Sequence, residues 1–415
     1  MVYFDKISLM SDEKKQLADH RDIGQQLDLF SFQDIAPGAP FWHPKGMVIF
    51  KELEKVAREI NEKNDYHEIS TPILVKKEVF EQSGHWQHYR ENMFYFENNR
   101  DANELLVLKP MNCPESTYVF NAKTRSYRDL PLRLAEIGRL HRNELSGTLG
   151  GMFRVRQITM DDAHIFCLPE QAEEEIIKTV KIVADFYTMF DFKTSYVLAT
   201  RPEKYQGELE QWNKGEQILL EALKKSETQY TVAEGEGAFY GPKIEMHLRD
   251  SQNRDWQLGT VQLDIAMLPE SFDIRYTDET GERKKPMVIH RAVFGSFERF
   301  IGILLEHTAG NLPLWLSPVQ VAVANISDVQ LGYASEVVDK LKAEGIRVEW
   351  YNHNDTIGKK IREAELQKIP YIAIIGAKEI VAGGVALRKR GEGDIGLIKL
   401  EELIEKIKNE IKNKD

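Results

Sequence analysis

The feature that most constrains this chain is a change of rhythm at NLPLWLSP, where Pro313 and Pro318 bracket a boundary. Upstream, short runs rich in Val, Ile, Phe, Tyr and Thr are separated by turn residues at hairpin-like intervals: NMFYF, LLVLKP, LPLRLAEIG, GMFRVRQITM, IEMHLRD and WQLGTVQLDIAM. They do not alternate regularly with helices, which predicts one large antiparallel sheet with helices laid against it. Downstream, VQVAVANI, IRVEWY and YIAIIG alternate with helical segments, one carrying Ala334, Val337, Val338 and Leu341 and ending at Gly345, the next being TIGKKIREAELQKI. GVALRKR and the helix LEELIEKIKNEI close the chain. That alternation predicts a compact, largely parallel α/β unit. The expected fold class is α+β, with one domain over 1–312 and a second over 313–415; 415 residues at 42% apolar composition can bury two cores.

Within the first unit, Ile49, Leu53, Val56, Ala57 and Ile60 recur at helical spacing over 46–64, and YHEISTPIL then reads as a strand ending at Pro72. A second helix is expected over 169–187, with Pro169 at its start and Ala172, Ile176, Ile177, Val180, Val183 and Ala184 on the core-facing stripe. The polar stretch 11–30 reads as a lead-in helix.

Bulk properties exclude several functions. No apolar run is long enough for a membrane span, and the N-terminus has no secretory pattern, so a cytoplasmic protein is expected. Cys113 and Cys167 are the only cysteines, which rules out a disulfide framework. A net charge of -11 argues against sequence-independent DNA binding but leaves a folded RNA with local contacts open.

Neither G-x-x-x-x-G-K-[ST] nor a helix-opening G-x-G-x-x-G occurs, so a nucleotide would have to be held by side chains on the sheet. Two arginine-bearing segments suit that need: EIGRLHRNELSGTLGGMFRVRQITMDDAHIF, with Arg142 opening its loop, and HRAVFGSFERFIGILLEH, with Arg299 beside Glu298. Arginine's planar fork donates two parallel hydrogen bonds to phosphate at any working pH. In this order, with the strand ending at Pro72, the segments resemble motifs 1, 2 and 3 of class II aminoacyl-tRNA synthetases; HIGH and KMSKS, the marks of the other class, are absent.

Cys113 in KPMNCPES, His164 in DDAHIFC and His290 in MVIHRAVFGSF narrow the resemblance. Each is expected in a strand-like setting of the same sheet. One thiolate and two imidazoles suit Zn²⁺, and three ligands leave a fourth position for substrate. His85 and His88 in GHWQH read instead as a loop structural pair. The contexts MNCP, DDAHIFC and IHRAVFGSFER resemble the threonyl-tRNA synthetase family over about residues 24–411.

The resemblance implies one zinc ion per chain on Cys113, His164 and His290, and Mg²⁺ accompanying ATP. It implies that Arg142 contacts the α-phosphate of ATP, Glu144 the adenine end and Arg299 the γ-phosphate, with Arg154, Gln257, Thr260 and Ser296 lining the nucleotide site. Met111, Asp162, Tyr240, Lys243 and Gln262 fall in the amino-acid pocket, Asp162 receiving the ammonium. Asn354, Glu379 and Arg388 would meet anticodon bases, with Lys389 and Arg390 nearby for phosphate. The partners implied are ATP, L-threonine and tRNA(Thr), acting on a homodimer. The family's usual adenine-platform phenylalanine is Ile158 here, a usual pocket glutamine is Met160, and Glu115-Ser116 replaces a frequent Gly-His.

The implied reaction is attack of the threonine carboxylate on the α-phosphate with loss of pyrophosphate. A site built around a substrate hydroxyl should reject valine by about 10⁴–10⁵ but serine by only roughly 10–200-fold. The chain opens at the lead-in to the catalytic body, so the family's N-terminal editing region is expected to be missing and Ser-tRNA to persist. Two rivals are a catalytically dead paralogue that binds RNA and a prolyl or seryl relative. Retention of Arg142, Glu144, Arg299 and the Cys/His/His set weighs against the first. Prolyl enzymes do not predict that set, and seryl enzymes lack this C-terminal domain.

Overall fold

The computed structural model describes residues 19–414; residues 11–18 of the expected lead-in helix lie outside the described residues, and of the remainder His20–Gln26 is helical while Phe30 opens a short strand. Eight strands make the main sheet: β1 (His67–Glu68), β2 (Leu132–His141), β3 (Gln157–Cys167), β4 (Lys193–Ala199), β5 (Tyr230–Ala233), β6 (Lys243–Arg249), β7 (Asp255–Asp264) and β8 (Met287–Ala292). They lie in the order β5-β4-β6-β7-β8-β3-β2-β1. From β4 to β2 every neighbour is antiparallel, as the turn spacing predicts, and only the flanking strands β5 and β1 pair in parallel.

Helices cover the face of this sheet away from the cleft described below. Ala172–Thr188 buries Ile176, Val180 and Val183, and its Phe186 joins Phe294 and Phe300 in an aromatic cluster with centroids 4.8–5.3 Å apart. Pro44–Lys63 starts on a proline, which needs no N–H in the first turn, and buries Ile49, Phe50, Leu53, Val56 and Ala57. Ser296 caps Phe297–His307 by accepting from the Arg299 N–H, which fixes where that helix begins and hence where Arg299 sits.

Three expectations need correction. The strand expected to end at Pro72 pairs only at His67–Glu68: the Thr71 N–H and hydroxyl turn to the buried Glu136 carboxylate, which also holds Lys109 at 2.9 Å, and pairing resumes in another sheet at Leu74. The second helix starts at Ala172, since Pro169 sits in a turn closed by Gln171, whose side chain accepts from the Leu168 N–H. Cys113 is not on a strand: it opens the helix Cys113–Asn121, with Pro114 in the first turn, where a missing N–H leaves no bond unmade.

The C-terminal unit is a five-stranded sheet ordered Val348–Tyr351, Val321–Asn325, Tyr371–Ile375, Gly384–Lys389, Gly393–Lys399. The first two pairings are parallel and the last two antiparallel, so the sheet is mixed. The last strand and the short helix Ala377–Ala382 were not predicted; the strand is exposed along most of its length, and its alternating Ile395 and Leu397 mark no buried face. Arg347 ties this unit to the body, donating to Glu52 at 2.8 Å and to the carbonyls of Trp315 and Ser317 at 2.6 and 2.9 Å. Among the described residues no helix is long and apolar enough to cross a membrane.

Candidate active site and metal centre

The open face of the main sheet carries a cleft of about 460 Å³. Its floor follows from strand register. On β3, Ile158, Met160, Asp162 and His164 share one face by period-2 alternation. Across the sheet His164 pairs with His290, His290 with Gln262 and Gln262 with Lys243, so chemistry-bearing residues far apart in sequence fall in one row. Gln257 should point away from Thr260 and Gln262 by simple alternation. An irregularity opposite Met246 and His247 leaves Leu258 out of the pairing and returns Gln257 to the cleft.

At one end, Cys113, His164 and His290 are buried and offer donor atoms all within 4.8 Å of one another. Nε2 of His164 is buried without a hydrogen-bond partner, and Nε2 of His290 lies 3.2 Å from Asp264, whose carboxylate also accepts the N–H groups of Ala266, Met267 and Leu268. Burial pushes the Cys113 thiol well up, with Asp162, Glu115 and Asp264 adding to it, and burial holds the His164 imidazole neutral. A bound cation reverses the first effect and uses the second, because a coordinated thiol is deprotonated and a metal-binding imidazole must be neutral. The donor set and the unpaired nitrogen therefore suit a borderline-soft divalent ion.

Asp162 stands beside this cluster. Burial raises its carboxyl to about 6, opposed by a 3.0 Å hydrogen bond from Asn112. Asn112 reaches it only because Gly138 is opposite: a Cβ there would come within 2.4 Å of the Asn112 side chain. Tyr240 donates a short hydrogen bond to Gln262 and packs its ring 5.3 Å from His290.

The other end is cationic. Arg142 is anchored through Nε to the Pro110 carbonyl, Arg299 through Nε to the Phe153 carbonyl, and Arg154 pairs with Glu144 at 3.0 Å. Burial lowers the Arg299 pKa, as do the neighbouring charges of Arg154 and Arg142, so the three cations stand close enough to repel. An anion is the natural occupant of such a cluster.

The cleft is lined by Met111, Cys113, Arg142, Glu144, Arg154, Asp162, Tyr240, Gln257, Thr260, Gln262, His290, Ser296 and Arg299. His164 lies just behind His290, with ring centroids 4.8 Å apart. Lys243 is not in the lining; its ammonium pairs with Glu245, which also accepts from Gln257. His85 and His88 were read as loop residues, but they sit on a short helix, His85–Tyr89, and both line the cleft. Their spacing was the only signal in the sequence. In the C-terminal unit, Asn354 and Glu379 follow the carboxyl ends of their strands, whereas Arg388 pairs with Ile372 near the opposite end. Arg390 is committed to the fold through the carbonyls of Lys368 and Leu312 and is not free for phosphate.

This pairing of architecture and cleft defines a class II aminoacyl-tRNA synthetase. Residues 94–308 match the tRNA synthetase class II core domain family (G, H, P, S and T), and residues 320–410 the anticodon binding domain family. A threonine–tRNA ligase from Carboxydothermus hydrogenoformans is 51% identical over the whole chain, which spans 65% of that relative's length. The solved RNA binding domain of threonyl-tRNA synthetase from Cryptosporidium parvum superposes with a TM-score of 0.90 at 40% identity, covering 94% of this chain and 98% of that one. A putative threonyl-tRNA synthetase from Aeropyrum pernix gives 0.83 at 27% identity, with 95% and 97% covered. The chain belongs to the threonyl-tRNA synthetase family.

Proposed function

We propose that this chain activates L-threonine with ATP to threonyl-adenylate and transfers the threonyl group to the 3′ end of tRNA(Thr). The observation that carries the reading is the single cleft with a buried Cys/His/His donor set at one end and Arg142, Arg154 and Arg299 at the other. Its two ends suit a chelating amino acid and a polyphosphate held side by side.

Cys113, His164 and His290 would hold a zinc ion, which supplies an electrophilic position for the amino and hydroxyl groups of threonine. Asp162 accepts a hydrogen bond from the substrate amino group, and Tyr240, through Gln262, closes the pocket beside it. Arg142 steadies the α-phosphate, Arg299 the γ-phosphate, and Glu144 the adenine end; Mg²⁺ accompanies the ATP. Because both arginines are already tied through Nε to carbonyls, their terminal nitrogens are pre-oriented and little reorganisation accompanies charge development. In-line attack by the threonine carboxylate then needs no protein nucleophile, only positioning.

Residues 1–312 would carry this chemistry and residues 313–415 the anticodon contacts, with Asn354, Glu379 and Arg388 reading bases. A homodimer is supported by the partly exposed Ile73, Leu74, Tyr95 and Phe96 on and beside the small sheet of Leu74–Lys76, Phe94–Asn98 and Asp101–Leu108. Amino-acid-dependent ATP–pyrophosphate exchange tests the reading: threonine should support exchange strongly, serine weakly, and valine and proline not at all. Equal exchange with valine and threonine would refute it.

A further inference from the structure

His20 lies outside the cleft, yet its surroundings are those of a built contact. It is 2% exposed, and both its N–H and its Nδ1 meet Glu306 Oε1, at 2.9 and 2.6 Å. Its Nε2 accepts the Met152 N–H at 3.0 Å, which makes it the neutral Nδ1–H tautomer. The ring packs at a tilt against Phe153, with centroids 4.2 Å apart, and Phe153 also meets Trp256 at 4.5 Å and the Arg254 guanidinium at 5.6 Å. Arg254 in turn pairs with Glu306 and Asp250.

Glu306 and Arg299 belong to one helix, two turns or about 10 Å apart. Phe153 and Met152 belong to one turn of the cleft loop. Helix and loop are thus joined at two points: Arg299 Nε to the Phe153 carbonyl at one end, and Glu306 through His20 to the Met152 N–H at the other. Gly151 makes room for the second joint, its φ of +56° placing the position where a Cβ would meet His20 Nε2 at 2.2 Å.

We infer that His20 is a positioning residue for nucleotide binding: by locking Met152 and Phe153 to the helix Phe297–His307, it sets where Arg299 presents its fork. This rests on the assignment of Arg299 to ATP. The lead-in helix is on this account part of the ATP site and more than a strap on the body.

The test compares His20→Ala, His20→Gln and, as a stability control, Glu52→Ala, which cuts a tie of the C-terminal unit far from this loop. ATP affinity is read by calorimetry on the full chain, alongside KM for ATP and for threonine in pyrophosphate exchange. His20→Ala should weaken ATP binding and raise its KM about tenfold, as expected when a clamp is misplaced but not removed, with threonine KM moved less than about twofold. His20→Gln can accept the Met152 N–H and should recover most of the loss, while Glu52→Ala should lower the melting temperature without touching ATP. If His20→Ala binds ATP like the parent while melting earlier, His20 is a structural pin and the inference fails. If His20→Ala does not fold, Glu306→Ala, which removes the acceptor of both His20 contacts outside the cleft, must raise ATP KM while leaving threonine KM in place, or the inference falls. A parent that binds ATP but gives no threonine-dependent exchange would sink the proposed function and leave this inference to the calorimetry.

Discussion

The cleft floor rests on a buried ion pair whose strength can be worked out. The Arg291 side chain is fully buried, 3.0 Å from Asp161, 2.9 Å from Asn61 and stacked over Tyr66 at 4.5 Å. The second Asp161 oxygen accepts the N–H groups of Val293 and Phe294 at 3.0 and 3.4 Å. Arg291→Met removes the cation and strands the carboxylate, a change that costs roughly 3–5 kcal/mol when a buried pair is broken. Because Asp161 keeps two backbone donors, the lower end, about 3 kcal/mol, is expected. In the double variant Arg291→Met with Asp161→Asn, the amide oxygen can still accept those N–H groups and no charge is left unpaired. That variant should lose only about 1 kcal/mol, so the second substitution recovers roughly 2 kcal/mol of the loss. Urea unfolding followed by tryptophan fluorescence measures both. A loss below about 1 kcal/mol for the single variant, or no recovery in the double variant, would refute the view that desolvated charge pairing holds these strands together.

Other outcomes follow from the same geometry. Ile158→Phe should supply an aromatic face in the cleft and lower ATP KM about three- to tenfold, checked by pyrophosphate exchange; an unchanged KM would mean that adenine lies elsewhere. Tyr240→Phe removes the donor to Gln262 and should raise threonine KM about five- to tenfold while leaving ATP KM alone. His247 is raised above its ordinary value first by its hydrogen bond to Glu245 and then by Asp255. Its contribution is therefore fully present below the unfolded value near about 6.5 and is lost as pH rises through the higher folded value. The melting-temperature gap between the parent and His247→Gln should be widest in mild acid and close toward alkaline pH; a gap that grows with pH would contradict this.

Much of the architecture was legible because periodicity reports burial. Ile49, Leu53, Val56 and Ala57 revealed the first long helix, and the lack of strand–helix alternation revealed the antiparallel sheet. What stayed hidden was decided by contacts between distant residues. Thr71 leaves the expected strand for Glu136, and the exposed strand Gly393–Lys399 has no buried face to write a pattern. In the cleft, residue types and motif contexts pointed to the lining of Arg142, Asp162, Tyr240 and Arg299, but not to how Arg142 and Arg299 are aimed by carbonyls. The resemblance put Lys243 in the amino-acid pocket, yet a glutamate two residues along claims its ammonium. His20 carried no motif, and Arg291 stood in HRAVFGSFERFIGILLEH without a role assigned to it. Their importance comes from Asp161, Asn61, Glu306 and Met152, brought to them by the fold.

The central claim is that Cys113, His164 and His290 hold a metal that selects a β-hydroxy amino acid. Metal analysis of the purified chain and of Cys113→Ala, paired with threonine- and valine-dependent pyrophosphate exchange on both, tests it most directly. The account predicts about one zinc per chain in the parent, none in the variant, and loss of threonine activation together with the metal. A zinc-free parent that still prefers threonine, or a variant that activates threonine normally, would contradict it.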